Sequence, residues 1–295
     1  SSDLILILFV IYRGVLASVA YPLDLYLEGS LAKENSTGRT RGLFLAVSNT
    51  ALIISPAIAG LLLGDNNFDR VYILSSLFII PLLLIFIRNL KKESRDIQAP
   101  QGALHALSFF YKKSSLRNIL FARMLLHIFY VYMVIYIPVY LLQELGFSWK
   151  EIGFMLTIML LPFALFQFPA GYLADKKWGE KELLIFGFIF LATSTLVFSF
   201  IGVPNIFLLS FILFMTRVGA SLIEIMTESY FFKHVDEDDG NIISVFRAVG
   251  PVAYLIGPLL GSLALIYMSY ETMFGILGLI MYLGILFAFR IKDTK

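Results

Sequence analysis

Long apolar runs separated by short charged clusters dominate this chain, and none shows the polar–apolar alternation of a barrel strand. Nine such runs lie near 4–26, 41–64, 71–89, 117–143, 148–174, 183–203, 205–232, 241–267 and 272–290. A run of about 20 residues crosses a hydrocarbon core of about 30 Å as a helix, and its backbone hydrogen bonds then close within the segment. A membrane barrel is excluded, because its strands alternate between lipid and lumen. The pattern predicts an all-α polytopic membrane protein with nine transmembrane helices.

Composition agrees: 59% of residues are hydrophobic and only 15% charged, far from the mixture of a soluble domain. There is no cysteine. Disulfides and thiolate metal sites are thereby excluded, and redox chemistry gives no indication of compartment. No cleavable signal peptide is expected, since the first run exceeds signal length and lacks a basic leader. Neither a metal, a cofactor nor a nucleic-acid partner is expected; the partners are the lipid bilayer and a small solute, and the protein is read as a monomer.

Charge placement sets orientation, because Lys and Arg that flank spans stay on the cytoplasmic side. Of the 23 Lys and Arg, Arg13, Arg123 and Arg217 lie within spans, and only Arg70 and Lys150 fall on one side of the membrane. All the others, among them Arg41, Lys91, Lys112, Lys176, Lys233 and Arg290, fall on the opposite side. The carboxyl terminus is therefore expected in the cytoplasm and Ser1 outside, in a plasma (inner) membrane. A chain that begins outside on Ser is expected to continue a longer one. The polar stretch from Arg88 to Asn118 divides the chain into 1–89, a linker at 90–116 and a bundle at 117–295. Within it, ALHALSFFY (103–111) fits either a short amphipathic helix on the inner surface or a solvated linker.

An internal repeat emerges across that linker. LFLAVSNTALIISPAIAGLLL (43–63) aligns with VFRAVGPVAYLIGPLLGSLAL (245–265), so that Phe44, Ala46, Val47, Ala51 and Pro56 meet Phe246, Ala248, Val249, Ala253 and Pro258. Arg13 and Asp24 share the spacing of Arg217 and Glu228. Two pseudo-symmetric bundles follow, the first incomplete by three helices.

The charged loop GYLADKKWGEK (171–181) carries a glycine, an aspartate four residues on, a cluster of cations and a second glycine. With the repeat, and with SPAIAG (55–60) and GPLLGS (257–262) as degenerate GPxxGG elements, it resembles the major facilitator superfamily. The resemblance implies a twelve-helix fold of which this chain holds helices 4 to 12. It makes Gly171, Asp175, Lys176, Gly179 and Lys181 a conformational-switch loop. In that loop Gly171 permits close helix packing, and Asp175 approaches the positive amino end of the 41–64 helix. Pro56, Gly60, Gly257 and Pro258 become helix-packing positions. One departure stands out: Lys176, Lys177 and Trp178 separate Asp175 from Gly179, where the family pattern has two residues.

Charges inside spans need an interior or watery environment. Arg217, Ser221, Glu224 and Glu228 are spaced four, three and four apart, which is one helical face. Arg123, His127 and Tyr130 share a face in the same way, as do Arg13 and Asp24. The resemblance places these three spans around a central cavity. Arg13, Arg123, His127, Tyr130, Arg217 and Ser221 are then expected to line it, a centre suited to negative or hydrogen-bonding groups. Asp24, Glu224 and Glu228 are expected at a gate or in proton coupling, with Glu224 or His127 as carrier, because a buried carboxyl or imidazole can exchange a proton near neutral pH. The expected function is secondary active transport of a small organic solute by alternating access, coupled to protons.

Other readings stand beside it. Drug or metabolite efflux is one, although the drug-exporter pattern places an arginine four residues before a glycine of the fourth helix, and here Val10 precedes Gly14. A non-transporting scaffold is another. A membrane enzyme would need clustered carboxylates; the DEDD run at 236–239 reads more simply as acidic residues at a helix start, so the protein is expected not to be an enzyme.

Overall fold

The computed structural model describes residues 37–63, 68–89, 103–235 and 240–292, and every element among them is helical. The chain divides into two compact units, 1–51 with 65–97 and 52–64 with 98–295. The helix α1 (Thr37–Leu63) contributes its first half to one unit and its second half to the other, while α2 (Phe68–Asn89) belongs to the first. These two coincide with the second and third predicted spans; the first lies outside the described residues.

The second unit continues with α3 (Ala103–Lys112), α4 (Ser114–Gln143), α5 (Trp149–Leu173), α6 (Glu180–Ser199), α7 (Ile206–Phe232), α8 (Gly240–Tyr267), α9 (Tyr270–Met281) and α10 (Leu283–Phe289). Among the described residues six helical stretches are long and apolar enough to cross a membrane, the sixth being α9 and α10 together. That last span is expected as one helix, but it tightens at Tyr282, whose carbonyl accepts from Ile285 N at 3.1 Å in place of a bond one residue further on. A short i to i+3 turn of this kind interrupts a helix without a proline.

Polar residues start the helices at one end of the unit. Ser148 caps α5 in a reciprocal box with Glu151, Asn205 accepts from Phe207 N and Leu208 N at the start of α7, and Ser269 accepts from Thr272 N at the start of α9. Each satisfies amide groups that a bilayer leaves bare. At the opposite end the chain ties itself together: Tyr230 Oη donates to Lys292 O at 3.1 Å and Lys292 N to Ser115 Oγ at 3.2 Å. The segment 103–111 is helical, as one of the two sequence readings has it. It does more than lie on a surface, since Phe110 is buried and stacks on Phe231 at 6.3 Å.

In the second unit α7 is the central helix, packed on α4, α5 and α6, while α8 lies on α4 and α9 on α6. Lipid tails are as apolar as leucine, so helices here associate through close van der Waals contact, which small residues allow. A Cβ on Gly219 of α7 would lie 2.5 Å from Leu191 N and 2.6 Å from Gly187 O, both backbone atoms of α6. Likewise a Cβ on Gly60 would lie 2.6 Å from Trp149 O, and one on Gly153 would lie 2.5 Å from Pro56 O. That second approach explains why residues 52–64 belong with α5. Gly257 faces Val131 Cγ1 at 2.7 Å on the same measure, and Tyr136 Oη donates to Pro258 O at 2.8 Å, joining α8 to α4. Hydroxyls in the core fold back onto their own helices, Thr216 onto Leu213 O and Thr227 onto Ile223 O.

Replacing Gly219 by Ala is expected to lower stability by about 2 kcal/mol through overpacking, because both opposing atoms are backbone. Gly202→Ala, where nothing lies within 4 Å of the added carbon, should leave it unchanged. Thermal unfolding midpoints of the two purified variants check the difference.

Candidate functional site

The charged stripes of α4 and α7 face one another. Arg123 Nη1 of α4 lies 2.8 Å from Glu228 Oε1 of α7, and Tyr130 Oη donates to Glu224 Oε2 at 3.2 Å. Partner numbers fall along α7 as they rise along α4, so the two helices run antiparallel and form a ladder. Gln167 of α5 donates to the same Glu224 Oε2 at 3.1 Å, so three helices converge on one carboxyl oxygen. That the charged residues of α4 and of α7 each lie on one face follows from the sequence spacing, since residues three and four apart share a helical face.

Further along α7, Arg217 is 1% exposed and its guanidinium carbon lies 5.1 Å from the Phe129 ring and 5.2 Å from that of Tyr130. Its Nε and Nη1 have no hydrogen-bond partner among the described residues. Arg123 takes the other common arrangement, an ion pair with Glu228 plus the Phe246 ring at 4.1 Å. Phe246 stacks face to face on Phe231 at 3.8 Å, and Phe231 in turn meets Phe110. A continuous aromatic column therefore runs from the short helix α3 to the guanidinium of Arg123.

The other expected site residues fall in several places. His127 stands edge-on to Tyr130 at 5.7 Å and faces Gly250 of α8, where an added Cβ would lie 3.3 Å from its Cε1. Ser221 is fully buried and donates to Val218 O of its own helix at 2.9 Å, so its hydroxyl serves the backbone of α7. Arg13 and Asp24 lie outside the described residues.

The loop after α5 has an unexpected form. Residues Ala174–Trp178 make a π-helical turn closed by Gly179 N to Ala174 O at 3.1 Å. Such a turn holds one residue more than an α-turn, and it accommodates the extra residue before the second glycine. Gly179 then reverses the chain at φ 79°, a conformation that glycine adopts without strain. A Cβ on Gly171 would meet only Ile225 Cγ1 at 3.8 Å, an ordinary contact, so the tight helix approaches lie at Gly60 with Gly153 and Gly187 with Gly219. Lys176 sits over the Tyr172 ring at 4.5 Å, Lys181 is half-buried, and Trp178 stacks on Phe186 at 5.9 Å. The Asp175 side chain lies outside what the structure describes.

Two polar residues escape the sequence reading. Gln167 is the lone amide in LPFALFQFPAG, a signal of the same kind as the charged stripes. Glu180, in the first turn of α6, is completely buried; it pairs with Lys233 at the end of α7 and accepts from Ser229 Oγ at 3.0 Å. The carboxylate stands at a helix start and the ammonium at a helix end, as the helix dipole favours. An apolar groove of about 310 Å³ between Phe190, Val197, Phe211 and Met215 is lined by no charged residue. It is separate from the ladder.

Apolar helices that bury a seam of paired charges define an integral membrane protein of the transport type. The family model of the Major Facilitator Superfamily matches residues 1–156 and again 121–295, and the chain belongs to that superfamily. Its fold is accordingly all-α and polytopic, its general function is membrane transport, and members of the family are in general not enzymes. The search of curated proteins found no match.

Lys233→Met is expected to destabilise the protein by about 2 kcal/mol, less than for a wholly buried pair because the lysine end is partly exposed. Adding Glu180→Gln should restore part of the loss, as a double-mutant cycle on thermal unfolding will measure.

Proposed function

We propose that this protein is a secondary active carrier that moves a small organic solute by alternating access, coupled to protons. The observation that carries the reading is Glu224, a carboxyl within the membrane that accepts from Tyr130 and Gln167 on two other helices. A carboxyl held by neutral donors can keep or lose its proton without breaking the fold. Glu224 is the proton carrier in this reading. Arg123 and Glu228 form the gate nearer the cation-rich end, and the loop from Gly171 to Lys181 forms the switch.

The division into 1–89, 90–116 and 117–295, the nine-helix count and the plasma (inner) membrane location complete the proposal. The distribution of Lys and Arg supports a cytoplasmic carboxyl terminus. The contact of Gly60 with Gly153 supports the element 55–60 as a surface on which one bundle rocks against the other.

Glu224→Gln is expected to abolish proton-driven accumulation in proteoliposomes, lowering it at least tenfold, while exchange of labelled for unlabelled solute persists. The exchange step needs binding and rocking but no net proton movement. Accumulation at the wild-type level in Glu224→Gln would overturn the proton assignment. Loss of both activities together with Arg123→Ala, in folded protein, would agree with a gate at the Arg123–Glu228 pair.

A further inference from the structure

We infer that the transported solute is a small organic monoanion, bound through a carboxylate to Arg217 and moved in the same direction as the proton on Glu224. This rests on the carrier reading above and names its substrate class. Arg217 is buried to 1% exposure, and its Nε and Nη1 are without a hydrogen-bond partner among the described residues. The rings of Phe129 and Tyr130 lie 5.1 and 5.2 Å from its carbon, yet aromatic faces offset only part of what removing a guanidinium from water costs. The missing partner is an oxyanion. A carboxylate supplies the acceptor that these donors lack, and the flanking rings suit an apolar body behind it.

Charge accounting selects a single negative charge. Within the ladder Arg123 is matched by Glu228 at 2.8 Å. Glu224, which accepts from Tyr130 and Gln167, is the remaining acid for Arg217. While Glu224 is ionised and His127, which stands edge-on to Tyr130, is uncharged, the seam is neutral, and an arriving anion meets two carboxylates. When Glu224 takes a proton, one uncompensated cation is left and a monoanion restores neutrality, whereas a dianion exceeds it. Proton and anion therefore favour each other's binding, and linkage makes the effect reciprocal. One proton and one monoanion cross together without net charge. Arg217 is closed off in this state, and reaching it requires the helices to part, as alternating access provides.

The test uses purified protein in lipid nanodiscs, with acetate, propionate, benzoate and succinate as probes, their neutral amides and inorganic phosphate as controls, and thermal unfolding as readout at pH 6 and pH 8. The monocarboxylates stay ionised over this range, so a pH effect on their binding belongs to the protein. At least one monocarboxylate is expected to raise the midpoint, at least tenfold more tightly at pH 6 than at pH 8, with its amide and phosphate ineffective. Arg217→Gln should abolish the shift, Arg217→Lys should weaken it about tenfold, and Glu224→Gln should bind the anion equally at both pH values. The inference is overturned if no monocarboxylate stabilises the wild type, if amides do so equally, or if the shift survives Arg217→Gln. The ligand-free midpoint of Arg217→Gln reports whether that variant folds, and the acid-against-amide comparison on the wild type stands independently of it. Uptake of a neutral solute unaffected by Arg217→Gln would sink the anion site and leave the carrier; carboxylate binding without uptake or exchange in proteoliposomes would sink the carrier and leave the site.

Discussion

Hydrocarbon has no water to offer a buried charge, and the second unit is arranged around that demand. Arg123, Arg217, Glu224 and Glu228 all project from apolar helices, and each would be prohibitively costly to leave facing lipid. Facing α4 toward α7 turns four separate penalties into a ladder. Its rungs are an ion pair, a carboxyl that accepts from a phenol and an amide, and a guanidinium between aromatic rings. The antiparallel course of the two helices matters because it brings both stripes into register at once. Turning α4 by 180° about its own axis would carry Arg123 and Tyr130 away from Glu228 and Glu224 and undo both rungs.

The ladder in turn depends on how closely α7 can approach its neighbours. Gly219 against Gly187 lets the backbones of α7 and α6 touch, which leaves α7 free to present its opposite face to α4. Without a hydrophobic drive between helices, such contacts supply the packing that lipid cannot. The polar face and the glycine face of one helix are therefore complementary parts of a single arrangement. The aromatic column from Phe110 through Phe231 and Phe246 extends it to the short helix before α4, so the segment 103–112 is joined to the surroundings of Arg123.

The membrane class and the helical spans were legible because run length and apolarity are properties of local sequence. The α4 and α7 stripes were legible for a related reason, since a 3.6-residue period alone places Arg123 with Tyr130 and Arg217 with Glu224 on a face. Which residue meets which was not. The pairing of Tyr130 with Glu224, and the addition of Gln167 from α5, depend on helix rotation and crossing, which long-range packing sets. Ser221 shows the limit of the stripe argument: it has the right spacing, but its hydroxyl is taken by Val218 O of its own helix. The break at Tyr282 was hidden because it involves neither proline nor an unusual backbone conformation, only a local tightening two residues before Gly284, which packs on Phe188.

The loop between α5 and α6 shows how a family pattern can be kept through a change in its length. An extra residue inside an α-helix rotates everything after it by about 100° and would carry the next element off its packing face. Here the π turn at Ala174–Trp178 takes up the residue locally, and the positive φ of Gly179 then breaks the register altogether. The helix α6 consequently starts independently of the rotation at which α5 ends. Its first residue, Glu180, still arrives beneath α7, where Ser229 and Lys233 hold it. The buried charge that joins the loop to the bundle therefore lies immediately after the second glycine, at a position that cation counting passes over, and it fixes the start of α6 to the end of α7.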